Sequence, residues 1–277
     1  MIRGGLTAAG LLAPASAVVI VGLVLPLVLL FRYSLNRFEP GQFMVEALTA
    51  ENYLKFVADP YYLAVLRTTL LMAVGVTLAS LVLAFPVATL LARAKGGLKT
   101  GLLLAVVLPL FVGNAVRAAG WMVAFGQRGV VGTLMEAVQL PPVALMYTPF
   151  AVFVGILAVN LPFVVLTLSS VLEGIEGSAS EAALSLGATP FAAWRLVTLP
   201  LSLPGVLAAG VLSFILTMNA YATPVLLGGP RFRMMAPMVA DEVLQQSNWP
   251  FGAAVSFVLM AVTLALTAAV GVLAGRR

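Results

Sequence analysis

The chain has no cysteine and no histidine. Disulfides, thiolate nucleophiles, thiol or imidazole metal ligands and imidazole acid–base catalysis are excluded together. Charge is scarce as well: Asp, Glu, Lys and Arg make up 9% of the residues, against about 25% in a soluble domain. With 62% hydrophobic residues and a mean hydropathy of +1.10, such a chain cannot cover itself with polar surface. The class that fits is an integral membrane protein. The short alternating strands of a membrane barrel are also missing. The apolar runs are long and unbroken, which predicts an all-α membrane fold. No Gly-x-x-x-x-Gly-Lys-Ser/Thr loop occurs, because "AKGGLKTG" (94–101) has the wrong spacing. With no clustered acid pair either, an enzyme of the bilayer is disfavoured, and no metal or cofactor site is expected in this chain.

What is present is a series of apolar runs, each long enough at about 1.5 Å per residue to cross a bilayer. Six spans are expected, at about 7–31, 62–92, 99–126, 147–172, 200–226 and 250–274. They form a single transmembrane domain over 1–277, since no connection is long enough for a second soluble domain. Arg3 followed by "APASA" resembles a cleavable signal. The uncharged run continues from Gly4 to Phe31, however, which suits a retained anchor. With both termini inside, the short basic segments "RAKGGLK" (93–99) and Arg276-Arg277 fall on the cytoplasmic side. In a membrane protein the net charge of +5 reflects that bias, and no nucleic-acid partner is expected.

The same orientation makes "EGSASEAALSLGATPFAAWRLVTLP" (176–200) cytoplasmic. Ser178 and Glu181 have the spacing of a capping box. A short helix is expected over about 179–186, ended at Gly187 in a left-handed conformation. Thr189 and Pro190 then look like a second cap and first helical residue. Leu199-Pro200 opens the fifth span. Ala182, Ala183 and Ala188 are small enough for close approach of another surface, and Leu184, Leu186, Phe191 and Trp194 supply apolar anchors. Physically the segment suits either a docking element or an amphipathic helix pair lying on the headgroups.

Glu181-Ala182-Ala183, Gly187, Val197 and Leu199-Pro200 resemble the EAA signature of ATP-binding-cassette importer permeases: Glu-Ala-Ala, three residues, Gly, nine residues, Ile, one residue, Leu-Pro. The spacing fits throughout, with Val197 in place of Ile. The resemblance implies the six-helix type I (MetI-like) permease fold and a location in the bacterial cytoplasmic (inner) membrane. It also implies that 176–199 is the coupling segment of an ATP-driven importer, with Ser178, Glu181, Ala182, Ala183, Gly187, Ala188, Leu199 and Pro200 as coupling residues. ATP and Mg would be bound and hydrolysed by a separate chain.

Polar residues inside spans are costly, so each is a candidate for the substrate pathway. They are Asn114, Arg117 and Trp121 in the third span, Asn160 in the fourth, and Thr217, Asn219 and Tyr221 in the fifth. Snorkelling and interhelical hydrogen bonding are the structural alternatives. Pro86 and Pro162 are expected to kink their helices. Gly75, Gly205 and Gly210 mark close helix contacts. Asp241-Glu242 in the last outer loop suit attraction of a cation or docking of a binding protein, but are expected foremost to be ordinary solvated charges. "VRAAGWMVAFGQRGVVGTLM" (116–135) and "TPVLLGG" (223–229) resemble the first permease subunit of spermidine/putrescine importers. That implies a second permease subunit in a heterodimer, two cytoplasmic ATP-binding subunits and a periplasmic or lipid-anchored solute-binding protein. The cargo would be a small solute: a polyamine, or an opine, aminophosphonate or other zwitterionic or anionic compound. No span interior carries Asp or Glu, which counts against a polycation. It also counts against an ion-coupled secondary transporter, which normally uses paired intramembrane carboxylates.

Overall fold

The computed structural model describes residues 13, 14, 16–42, 44–126, 129–139, 144–175, 177–230 and 232–275. In chain order its helices are α1 (Ser16–Ser34), α2 (Glu51–Ala58), α3 (Pro60–Arg93), α4 (Gly96–Val107), α5 (Asn114–Phe125), α6 (Val130–Ala137), α7 (Pro149–Gly174), α8 (Gly177–Ser185), α9 (Pro190–Met218), α10 (Ala222–Gly228), α11 (Met235–Leu244) and α12 (Trp249–Gly275). Among the described residues the only β pairing is an isolated bridge between Arg37 and Val45. α1, α3, α7, α9 and α12 are each long and apolar enough to cross a membrane.

Two expected spans are corrected. The third is broken rather than continuous. α4 tightens into a 3₁₀ turn at Leu108–Phe111, where Pro109 removes a backbone donor. Val112 and Gly113 then adopt extended ψ values of 124° and 147°, and the segments Gly96–Phe111 and Asn114–Ala137 meet at 97°. The fifth stops at Met218 instead of reaching residue 226, and α10 follows as a separate short helix. At its other end the fifth span starts earlier than expected, because Pro190–Met218 is one run.

That run contains a π turn at Trp194–Thr198, in which the Leu199 N–H bonds to the Trp194 carbonyl five residues back. A second π turn, Ile20–Val24, bonds the Leu25 N–H to the Ile20 carbonyl. Each is followed by Leu-Pro, at 199–200 and 25–26. Proline has no N–H for the carbonyl four residues back and its ring collides with that carbonyl. A widened turn absorbs the conflict without ending the helix.

The chain divides into two compact units, residues 1–63 with 238–261, and residues 64–237 with 262–277. In the first unit, α1 buries none of its apolar window. Asn52 stitches α2 to the end of α1, its Nδ2 donating to the Ser34 and Asn36 carbonyls at 2.8 Å each. Phe56, Tyr62 and Phe251 are buried together. The second unit is built around α7, half of whose apolar window is buried. Glycines set its close contacts. A Cβ on Gly205 would lie 2.7 Å from Val171, and one on Gly155 would lie 2.6 Å from Thr223. Gly75 is nearly as tight, 3.3 Å from Phe153, whereas Gly210 meets Leu81 at an ordinary 3.5 Å.

Candidate functional site

The segment after α7 carries its own local instructions. Gly187 has φ +90°. The Ala188 N–H donates to the Ala183 carbonyl and the Gly187 N–H to the Leu184 carbonyl, both at 3.0 Å. These two bonds form a Schellman motif, the arrangement that closes a helix on a left-handed glycine. A Cβ on Gly187 would touch nothing within 4 Å, so the backbone angle alone demands glycine. Two residues on, the Thr189 hydroxyl accepts the Ala192 N–H at 3.2 Å, with Pro190 in the first turn. The start of α8 differs from expectation. The helix begins at Gly177, so Ser178 stands inside the first turn rather than ahead of it. The Ser178 side chain lies outside the described residues.

The surface of this segment is apolar and uncovered. Leu186 is 89% and Phe191 66% exposed, on either side of Gly187. Glu181 and Ala182 are exposed and Ala183 is half-buried. Trp194 connects the segment to α3: its ring meets Phe85 edge-on at 5.7 Å and stacks on Phe191 at 5.8 Å. Glu181 and Leu184 also line a cavity of about 780 Å³ with Arg93, Lys95, Lys99 and Glu173. Lys99 bridges to Glu173 at 3.1 Å. The 93–99 connection and α8 therefore sit at the same end of the second unit.

The intramembrane candidates divide into separate groups. Asn160 is 1% exposed. Its Nδ2 reaches across from α7 to the Ser213 carbonyl and Ser213 Oγ at 3.1 Å and to Thr217 Oγ1 at 2.8 Å. Thr217 in turn donates to the Ser213 carbonyl at 2.9 Å. Asn160 and Thr217 thus meet in an interhelical bond. Ser213 was not singled out from the sequence, although it lies four residues before Thr217 on the same helix face. Among the described residues Asn219 bonds its own helix, to the Ile215 carbonyl at 2.9 Å, and Tyr221 is 48% exposed. Neither joins the Asn160 cluster. On α5, Arg117 Nη2 donates to Asn114 Oδ1. Its Nε and Nη1 are buried without a partner among the described residues. Trp121 stacks on Phe125 of the same helix at 5.0 Å and packs against the buried cluster of Val76, Ala151 and Leu227. The Thr77 and Ser80 hydroxyls, also passed over in the sequence, are buried on α3 with no partner among the described residues.

Glu242 corrects another expectation. It is 6% exposed, and its Oε2 has no hydrogen-bond partner among the described residues. Burial pushes its carboxyl up from the ordinary 4.5, against the pull of Lys55 and with a push from Asp241. Lys55 itself rests on Phe251, its ammonium 4.3 Å from the ring centre.

No protein-family model matches the chain. The spermidine/putrescine transport system permease protein PotB of Haemophilus influenzae is 30% identical over 246 residues, covering 87% of this chain and 86% of that protein. PotB of Escherichia coli K12 is 31% identical over 223 residues, covering 80% and 81%. Among solved structures, a bacterial ABC transporter involved in the import of the acidic polysaccharide alginate superposes with a TM-score of 0.78 at 16% identity, covering 99% of this chain and 97% of that one.

Proposed function

We propose a mechanism from the premise that this chain belongs to the PotB-like family of ATP-binding-cassette importer permeases. It is the permease subunit of an importer for a small solute, a multi-pass protein of the inner membrane. It is a transporter subunit, and ATP is hydrolysed in a separate ATPase chain. The mechanism we assign is alternating access driven through residues 176–199. α8 docks on a cytoplasmic ATPase subunit, and its displacement passes through the capped turn at Gly187–Pro190 into α9 and, by Trp194, to Phe85 of α3. The observation that carries this reading is the Schellman-closed helix with exposed apolar flanks at the EAA positions. A helix closed by its own backbone bonds moves as a unit.

In the topology that goes with it, the bent pair Gly96–Phe111 and Asn114–Ala137 counts as the third of six spans and both termini are cytoplasmic. Support comes from the cavity that gathers Arg93, Lys95 and Lys99 beside Glu181, because clustered short-loop cations favour the cytoplasmic face. The complete importer then comprises a heterodimer of this chain with a second permease subunit, two ATP-binding subunits and a solute-binding protein outside. The cargo assigned is a polyamine, by similarity to PotB. Arg117, with two buried unpartnered nitrogens, favours a second reading, an anionic or zwitterionic solute, because a buried guanidinium calls for an acceptor.

The naturally Cys-free chain allows a direct test. Ala183→Cys is expected to crosslink to cysteines in the partner ATPase in inside-out vesicles, and the yield to change with ATP. Labelling of Ala183→Cys only from outside the cell would overturn both the topology and the coupling role. Uptake of spermidine against a competing anionic amine compound in the reconstituted importer separates the two cargo readings.

A further inference from the structure

Two cavities of the second unit adjoin at Thr89 and Arg93, which line both. The first is the charged cavity of about 780 Å³ beside α8. The second, about 700 Å³, is an apolar trough between α3 and α9, walled by Leu81, Phe85, Leu90, Trp194 and Val206. Their charges are not balanced internally. Lys99 and Glu173 neutralise each other at 3.1 Å, which leaves Arg93 and Lys95 against Glu181 alone. Arg93 and Lys95 have no hydrogen-bond or ion-pair partner among the described residues. A cationic mouth thus opens onto an apolar channel carried by two membrane-spanning helices.

We propose that this pair of cavities is a binding site for an anionic phospholipid. The headgroup phosphate would take the Arg93 and Lys95 donors, and an acyl chain would lie along the trough. The two halves together select this occupant. A free phosphate would use the cations but not the trough, and a neutral lipid would use the trough but leave the cations unmatched. Arg93 stands where the halves meet and Trp194 walls the trough, side chains of the kind that settle at a membrane boundary. The site rests on the cytoplasmic placement of residues 93–99 proposed above. Since Glu181 and Leu184 line the headgroup cavity, the bound lipid would lie against α8 itself.

The test uses the whole importer, purified with its ATPase and second permease and examined by native mass spectrometry with phosphatidylglycerol and phosphatidylcholine. Retention of phosphatidylglycerol over phosphatidylcholine is expected. The double substitution Arg93→Gln with Lys95→Gln should lower it about tenfold or more, each cation near an anionic lipid being worth roughly a kcal/mol. Val206→Trp, which fills the trough and keeps both cations, should also lower it. Equal retention of the two lipids, or retention unchanged in both variants, overturns the proposal. So does full displacement by millimolar inorganic phosphate, which would make it a phosphate site. A crosslink from Leu81→Cys to the second permease subunit with no lipid bound would likewise overturn it, because a protein would then fill the trough. Sidedness is read separately with Lys95→Cys. Labelling from outside sinks the topology as well, whereas labelling from inside without lipid selectivity sinks the lipid site alone.

Discussion

At the scale of single residues, Gly187 is required by its backbone and by nothing else. Its φ of +90° and its empty surroundings predict that Gly187→Ala costs about 1–2 kcal/mol of local strain, while Gly187→Asn costs less. Uptake should fall in the order Gly, Asn, Ala at unchanged membrane abundance, as read by transport assay beside quantitative blotting. Glu242 makes a pH prediction. A carboxylate whose folded pKa is raised binds protons more readily when folded, so its burial penalty is absent below the ordinary pKa of 4.5 and grows as pH rises from there toward the raised value. Stability therefore declines with rising pH across that window. Glu242→Gln should be more stable than the parent at neutral pH, with a flatter melting profile as pH rises above 4.5. The helix stop at Gly187 and the new start at Thr189-Pro190 were legible in the sequence because capping is written in adjacent residues. The burial of Glu242 was not, because it depends on how α11 packs beside Lys55 and Phe251. The partners of Asn160 were equally hidden, lying 53 and 57 residues away.

At the scale of helices, hydropathy found the apolar runs but could not see where they break. Leu108-Pro109 and Gly113 stood in the sequence inside an uninterrupted apolar window, and only the pairing of a missing donor with an extended glycine turns the chain by 97°. The π turn before Leu199-Pro200 was invisible for a related reason: proline signals a conflict and not its resolution. Pro200→Ala removes the conflict, so the turn at Trp194–Thr198 is expected to relax to α, shifting the register of everything N-terminal to it by one residue. Transport should drop while ATPase co-purification persists. Gly205→Ala tests the α7–α9 contact. Val171 is β-branched and lies 2.7 Å from the added carbon, so overpacking of about 1–3 kcal/mol is expected, seen as a lower melting temperature in detergent.

For the molecule as a whole, the importer reading requires uptake to follow ATP and not the ion gradients. Reconstituted vesicles should keep importing after an uncoupler collapses the membrane potential and should stop when ATP is withheld; the reverse would restore the secondary-transporter alternative. Family membership was legible in seven residues of one loop, whose spacing matches the EAA signature throughout. Cargo was not, because the polar residues of the spans serve helix packing as readily as recognition, as Asn160 and Thr217 do.

That buried amide has a mechanical meaning. Asn160 fastens α7 to α9 at Ser213 and Thr217, near the end of α9 remote from Trp194. From Trp194 to Ser213 the helix is about 28 Å long at 1.5 Å per residue. In the proposed mechanism the hydrogen bonds act as a fulcrum and α9 as the arm, so each degree of rocking would displace the driven end by about half an ångström while the residues at the fulcrum stay in place. Asn160→Ala would leave the arm without its pivot. Spin-label distances across the ends of α9 should then broaden at the Met218 end first, and effort applied by the ATPase would be spent on sliding the helix instead of tilting it.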